Sequence, residues 1–345
     1  MPRRPRLTIG RLLVVAAGTV LALGTCLEMQ GTAGPETPRE RVLIPRGASV
    51  RTAAESLAVA GVIGSTRLFR WYAALDGRAR AIKPGTYDLP TGSGYRAVLD
   101  ALVAGDGVLH TVVIPEGFDL RDITPLLAKA LEIPEDSVTE AVTDPALRQR
   151  LDIPTASVEG YLFPATYAFP IGTSAREAVA AMVARWEAAW DPAWDARLSA
   201  MGITRHEAMT MASIVEKEAR KAEERPIIAA VYWNRVKRRM RLQADPTVQY
   251  ALPQHVDRVL YRDLTVDSRY NTYRYDGLPP GPIASPGRAS LAAALEPANV
   301  PYLFFVARPD GSHQFTTTFR EHARAIREIR SAVRRGAAPA VRQAR

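Results

Sequence analysis

Two copies of one pattern, seventy residues apart, constrain the fold of this chain more than any other feature. "VLIPRGASVRTAAESLAVAGVI", starting at Val42, returns as "VVIPEGFDLRDITPLLAKALEI" from Val112. Ile44, Pro45, Gly47, Arg51, Leu57, Ala58 and Ala60 recur as Ile114, Pro115, Gly117, Arg121, Leu127, Ala128 and Ala130. Each copy reads as a short strand, a turn at Pro-x-Gly, and a helix capped by Ser49 or Asp119. In the first copy Gly61 ends the helix, and a second helix follows Ser65 in "STRLFRWYAAL". "GTYDLP" then closes a β-α-α-β unit within 42–110, and the second copy with its connector fills 111–156. The expected fold class is α+β.

The β-α-α-β unit resembles the LysM-like module of cell-wall proteins, a small fold that binds N-acetylglucosamine chains. A structural spacer without a ligand of its own is the plainer alternative. From Ser157 the texture changes. "EGYLFPATYAFP" is rich in aromatics and prolines, and helical stretches with Trp186, Trp190 and Trp194 follow. A basic-ended helix "RPIIAAVYWNRVKRRMR", the loop "LQADPTVQYAL" and the strand-like "YLFFVARPDGSHQFTTT" come after them. Residues 157–332 are therefore read as one mixed α+β catalytic domain with a small sheet near its end, and 333–345 as a disordered basic tail.

The net charge of +9 invites a nucleic-acid reading, but its distribution removes the invitation. Arg3, Arg4, Arg6 and Arg11 precede residue 12 without an acid, and Arg330, Arg334, Arg335, Arg342 and Arg345 close the chain in the same way. These nine account for the whole excess, so the body is balanced and no nucleic-acid groove is demanded. "LLVVAAGTVLALGTCL", Leu12 to Leu27, carries no charge. A span needs about 20 apolar residues, so 12–29 reads as a single transmembrane helix with a cytoplasmic N-terminus (1–11) and an exported body. A cleaved signal peptide or a lipidated Cys26 would export the body equally. The polar stretch 30–41 is a linker, and Cys26 is the only cysteine, so the exported part has no thiol chemistry.

One helix carries the candidate chemistry. "ITRHEAMTMASIVEKEARK" opens with Thr204 and Glu207, a capping box. Ala208, Met211, Ala212, Val215 and Ala219 recur at helical spacing, so this face packs inward. Glu218 has Ile214, Val215 and Met211 beside it one and two turns back, whereas Glu216 has Ala212, Ser213 and Met209. Glu218 thus lies within the apolar stripe and Glu216 on its flank. A carboxyl among apolar groups resists ionisation, which suits a general acid. A salt bridge from Glu218 to an arginine of the next helix is the structural alternative.

Other chemistries fail on their own terms. His206-Glu207 begins like a zinc-protease helix, but the second histidine would stand at Thr210. Five dispersed histidines give no metal cluster, and neither G-x-S-x-G nor a Gly-rich phosphate loop is present. No cofactor is expected.

"MASIVEKEA", "ERPIIAAVYWNRVKRRMRLQADPTVQYAL", "YNTY", "GLPPGPI" and "EGYLFPATY" together resemble the MltG-type (YceG-like) endolytic murein transglycosylases, from the N-terminal anchor to about Ile329. The resemblance implies an inner-membrane protein whose periplasmic body cuts nascent peptidoglycan within the strand. It implies glycan strands as substrate and peptidoglycan synthases of the penicillin-binding class as partners. It also implies that Glu218 is catalytic, protonating the N-acetylmuramic–N-acetylglucosamine oxygen and then activating the sugar's own 6-hydroxyl to give a 1,6-anhydro end. A hydrolase normally needs two carboxylates. An intramolecular nucleophile removes that need. The family motifs place Gln243, Asp245, Asn271 and the "GLPPGPI" loop around the cleft, with Tyr270 and Tyr273 against sugar rings; Glu216, by its helical position, is expected as an accessory flank residue that orients Glu218 and contacts substrate. Loop architecture is the alternative for each. Ala165 stands where the family carries Asp, and "EHARAI" replaces its usual "EHN", which puts a carboxylate role at 165 in doubt. A muramidase using water activated by Asp245, and a non-catalytic wall-binding scaffold, are the rival readings.

Overall fold

A computed structural model describes residues 36–254, 256 and 259–336. The expected N-terminus and membrane segment, the first half of the linker, and the chain beyond 336 lie outside the described residues. Among the described residues no helix is long and apolar enough to cross a membrane. The chain divides into two compact units: the described residues up to Thr111 with Ala168–Thr173, and Val112–Tyr167 with the described residues from Ser174 on.

The first unit runs β1 (Arg39–Ile44), α1 (Val50–Val59), α2 (Thr66–Asp76), β2 (Gly85–Pro90) and α3 (Tyr95–Ala104). β1 and β2 pair antiparallel, from Arg39 opposite Pro90 to Ile44 opposite Gly85. Strand alternation turns Val42 and Ile44 inward while Leu43 stays outside. Gly47 takes φ +72°, the left-handed turn conformation that glycine adopts without steric cost. Ser49 then caps α1 by accepting from the Thr52 N–H, and Ser65 caps α2 through the Leu68 N–H. Leu57, Phe69, Tyr87, Tyr95, Val98, Leu99 and Leu102 fill the core. Each large apolar side chain buried this way contributes about 1.5–3 kcal/mol.

β3 (Leu109–Ile114) pairs with β4 (Ala165–Pro170), and the division between the units runs through both strands. β4 lies inside the stretch that the sequence marks only as aromatic and proline-rich; Pro164 precedes it and Pro170 closes it.

The second unit continues with α4 (Leu120–Leu131), α5 (Glu135–Val142), α6 (Pro145–Arg150), α7 (Ala175–Ala189), α8 (Ala193–Met201) and α9 (Arg205–Glu218). It ends with α10 (Arg225–Lys237), α11 (Asp245–Ala251), α12 (Arg288–Leu295), the hairpin β5 (Phe304–Ala307) and β6 (His313–Thr316), and α13 (Phe319–Gly336). Asp119 caps α4 with a reciprocal bond from Asp122, and Thr204 and Glu207 form the capping box of α9. Trp186, Trp190 and Trp194 meet in series, tilted at 6.0 Å and then edge-on at 5.3 Å between centroids, with Arg205 over Trp190 and Arg288 over Trp194.

Two sequence expectations need correction. α13 continues through Gly336, so the chain is helical beyond 333, where a disordered tail was expected to begin. α9 is not amphipathic with one inward stripe. Every residue from Ala208 to Val215 is buried, because α8, α10, α11 and α12 all pack on it.

Candidate active site

The two glutamates at the end of α9 are two residues apart, so about 200° of helical rotation separates their side chains. Glu216 has its side chain only 7% exposed, lies 3.6 Å from Arg225, and accepts the Gly287 N–H at the start of α12 at 3.0 Å. It is a bracket between helices and is not among the residues that line the cavity holding Glu218.

Glu218 ends α9 on the opposite side. It opens into a cavity of about 330 Å³ whose other walls include Tyr232, Arg235, Gln243, Asp245 and Tyr273. The Tyr232 hydroxyl donates to Glu218 Oε1 at 2.8 Å. Among the described residues Glu218 has no ion pair, so the arginine alternative fails. Arg235 instead donates to the carbonyls of Leu303 and Leu242, at 2.7 and 2.5 Å. Burial, then the charge of Asp245, push Glu218 up to about 7, while the Tyr232 bond and the charges of Arg235 and Arg220 pull the other way. The carbonyl end of α9 adds its own penalty on an anion. The carboxyl is thus poised to give a proton and take one back near neutrality.

Asp245 begins α11 and accepts from Tyr273 at 2.6 Å, so the cavity holds two carboxylate–tyrosine pairs. Gln243 enters the wall with φ +49°, a left-handed conformation uncommon for a residue with a Cβ. Its N–H bonds the Thr272 carbonyl, and Thr272 Oγ1 accepts from Ala244 N–H and meets Thr247 Oγ1 at 2.8 Å. The strain at Gln243 is therefore held by a buried hydroxyl pair, in the manner of a preorganised site.

Of the expected ligand-binding residues, the structure brings Gln243, Asp245 and Tyr273 into the cavity with Glu218 and leaves Tyr270 and Asn271 outside it. Asn271 is fully buried. Its amide donates to the carbonyls of Leu264 and Val266, and its oxygen accepts the Tyr273 N–H. It shapes the loop that delivers Tyr273. Tyr270 packs on Tyr250 at 4.8 Å, and Tyr250 donates to Glu159. Glu159, 2% exposed, is pushed to about 8 by burial and also receives the Leu120 and Gly160 N–H groups. The "GLPPGPI" loop is a buttress and does not line the cavity: Ile283 N–H donates to Ser213, and the Pro280 carbonyl meets His206 Nε2 at 2.8 Å.

Sequence reasoning missed Tyr232, Arg235, Phe304, Phe305, Ala307, His313, Phe319 and His322, all in the cavity wall. Tyr232 and Arg235, three apart on α10, had a readable signal as polar groups on one face of an apolar helix. His313, whose Nδ1 lies 2.7 Å from Glu224, and the remainder come from the distant hairpin and α13 and had none. Within "EHARAI", Glu321 caps α13 and His322 reaches the cavity. Among the described residues no cluster of His, Cys, Asp and Glu is placed to hold a metal. A larger cavity of about 590 Å³ lies beside the start of α9, but its charges are spent on structural pairs such as Arg150–Glu187 at 2.7 Å.

The profile of the YceG-like family matches residues 42–328. The endolytic murein transglycosylase of Bacillus subtilis is 37% identical over 298 residues, 82% of this chain and 82% of that protein. The endolytic murein transglycosylase of Streptococcus pneumoniae D39 is 30% identical over 319 residues, 83% of this chain and 57% of that longer protein. The crystal structure of a yceG-like protein from Listeria monocytogenes superposes with a TM-score of 0.59 at 32% identity, covering 84% of this chain and all of that one.

Proposed function

The chain belongs to the YceG-like family, and from that premise we propose that Glu218 is the single acid and base with which this endolytic murein transglycosylase cuts glycan strands. The observation that carries the assignment is a half-buried carboxyl pushed to about 7 and hydrogen-bonded by Tyr232 in a cavity lined by sugar-compatible groups. Protonated Glu218 gives its proton to the oxygen between N-acetylmuramic acid and N-acetylglucosamine as that bond breaks. The departing sugar takes the proton, and positive charge develops at the anomeric carbon. Glu218, now anionic, removes the proton of the same residue's 6-hydroxyl, whose oxygen closes the 1,6-anhydro ring. Proton and electron counts balance without water.

Asp245 supports this chemistry electrostatically. Its charge keeps Glu218 protonated in the resting enzyme and faces the cation that develops during cleavage. Because Asp245 accepts the Tyr273 hydroxyl at 2.6 Å, one of its oxygens is already engaged. That favours a stabilising role over activation of water, the muramidase reading. Product mass separates the two: a transglycosylase leaves an end lighter by one water than the reducing end a hydrolase leaves. Mass spectrometry of digests of purified peptidoglycan showing reducing ends alone would overturn the proposal.

The β1–α1–α2–β2 unit is read as a LysM-like module that holds glycan for the catalytic unit. Residues 12–29, outside the described residues, are read as the anchor that keeps the exported body at the inner membrane, where peptidoglycan synthases deliver nascent strands. The activity there limits strand length.

A further inference from the structure

We propose that a second cavity, between the loop before β5, strand β6 and α13, is a distal subsite that binds the peptide-bearing glycan strand away from the scissile bond. The cavity measures about 440 Å³ and is lined by Tyr302, Gln314, Phe315, Thr317, Arg324 and Glu328 among others. It adjoins the catalytic cavity through a continuous run of rings. Tyr232, which holds Glu218, meets Phe305 edge-on at 5.7 Å; Phe305 lies 6.0 Å from Phe315; and Phe315 stacks on Tyr302 at 5.7 Å. Phe305 lines the first cavity and Phe315 the second, and the two are directly opposite in the β5–β6 register.

The lining has the chemistry of a saccharide site: an aromatic wall with a few convergent polar groups. Thr316 adds a buried hydroxyl for which no partner is present among the described residues. The charges select the ligand further. Glu321 also lines the cavity, but its carboxylate is committed to the Thr317 and Thr318 N–H groups. Arg324 and Glu328, one turn apart on α13, enter no ion pair with each other or with any other described residue. An unpaired guanidinium suits a carboxylate, and an unpaired carboxylate suits an ammonium. The peptide stems on murein glycan carry both groups, whereas a strand stripped of its stems keeps only the lactyl carboxylate and has no ammonium. The subsite therefore reads the stem as well as the sugar, and it favours substrates long enough to fill both cavities, as an enzyme that cuts within strands requires.

This inference rests on Glu218 marking the cleavage point, so its test uses binding rather than turnover. Short and long peptide-bearing glycan oligomers are titrated calorimetrically against the full chain carrying Glu218→Gln, alone or with Arg324→Ala or Gln314→Ala. The expected result is tighter binding of the long oligomer by the parent. Arg324→Ala should weaken that binding about tenfold and flatten the ratio of long to short affinities, with Gln314→Ala acting in the same direction. Thermal melting checks that each variant is folded. Full retention of the length dependence in both variants would overturn the subsite, and so would an equal loss for both lengths. If peptidoglycan digests contained no anhydro ends while Arg324→Ala still flattened the ratio, the subsite would stand and the transglycosylase assignment would fall.

Discussion

The Tyr232 hydroxyl donates a 2.8 Å hydrogen bond to Glu218 Oε1 across the gap between α10 and the end of α9. This bond favours the charged form of Glu218, whereas burial and the charge of Asp245 disfavour it. The protonation state of the acid is thus set first by burial, with Tyr232 and Asp245 acting on it in opposite senses.

Tyr232→Phe keeps the ring contact with Phe305 and removes only the donor. Glu218 should then titrate above its present value of about 7, moving the alkaline limb of the rate–pH profile upward by about one unit. The rate at neutral pH should drop about tenfold through lost orientation of the carboxyl. A profile of kcat/KM against pH reads both effects.

Asp245→Asn predicts the opposite displacement. Removing the nearby negative charge lowers the affinity of Glu218 for its proton, so the alkaline limb moves below its wild-type position near 7. Activity at pH 7 falls because less acid is protonated and because the developing cation loses its counter-charge; about 10²-fold is the scale for one electrostatic group. A limb that stays in place would separate Asp245 from Glu218.

Glu159, buried among the Leu120, Gly160 and Tyr250 donors and outside the cavity of Glu218, is expected to act on stability. Its folded value near 8 lies above the ordinary 4.5, so the folded state binds the proton more tightly than the unfolded one. Its contribution is complete below about pH 4.5 and is lost as pH rises toward 8. Melting temperature should therefore decline across that window in the wild type. Glu159→Gln cannot ionise, and its decline should be shallower.

Glu216→Gln tests the division of labour on α9. The amide oxygen still accepts the Gly287 N–H, but the charge facing Arg225 is gone. Urea unfolding should show a loss of about 1–3 kcal/mol, while kcat of the folded fraction stays within about twofold of wild type. A collapse of kcat at full folding would return Glu216 to the chemistry.

Much of this arrangement is local and can be read from sequence. The caps at Ser49, Ser65, Asp119 and Thr204 stand where side-chain chemistry puts them, and the Pro-x-Gly turn of the repeat takes positive φ at both Gly47 and Gly117. Glu218 was distinguished from Glu216 by an apolar stripe, yet α9 is buried all round through Val215. What separates the two glutamates is direction and partner: Arg225 and Gly287 for one, Tyr232 for the other. Such partners come from other helices and leave no periodic trace. Asn271 and Tyr273 sit in one short motif, but backbone geometry sends the first into the loop and the second into the cavity. The left-handed Gln243 is equally invisible, because the Thr272 and Thr247 hydroxyls that hold it arrive from separate segments.

The most direct measurement is the mass spectrum of products from purified peptidoglycan digested by the full chain and by Glu218→Gln, a near-isosteric change that removes the titrating proton. The wild type should generate 1,6-anhydro ends from within strands, and the variant should generate none above background while melting at a comparable temperature. Anhydro ends at an undiminished rate in the folded variant would contradict Glu218 as the acid and base of this enzyme.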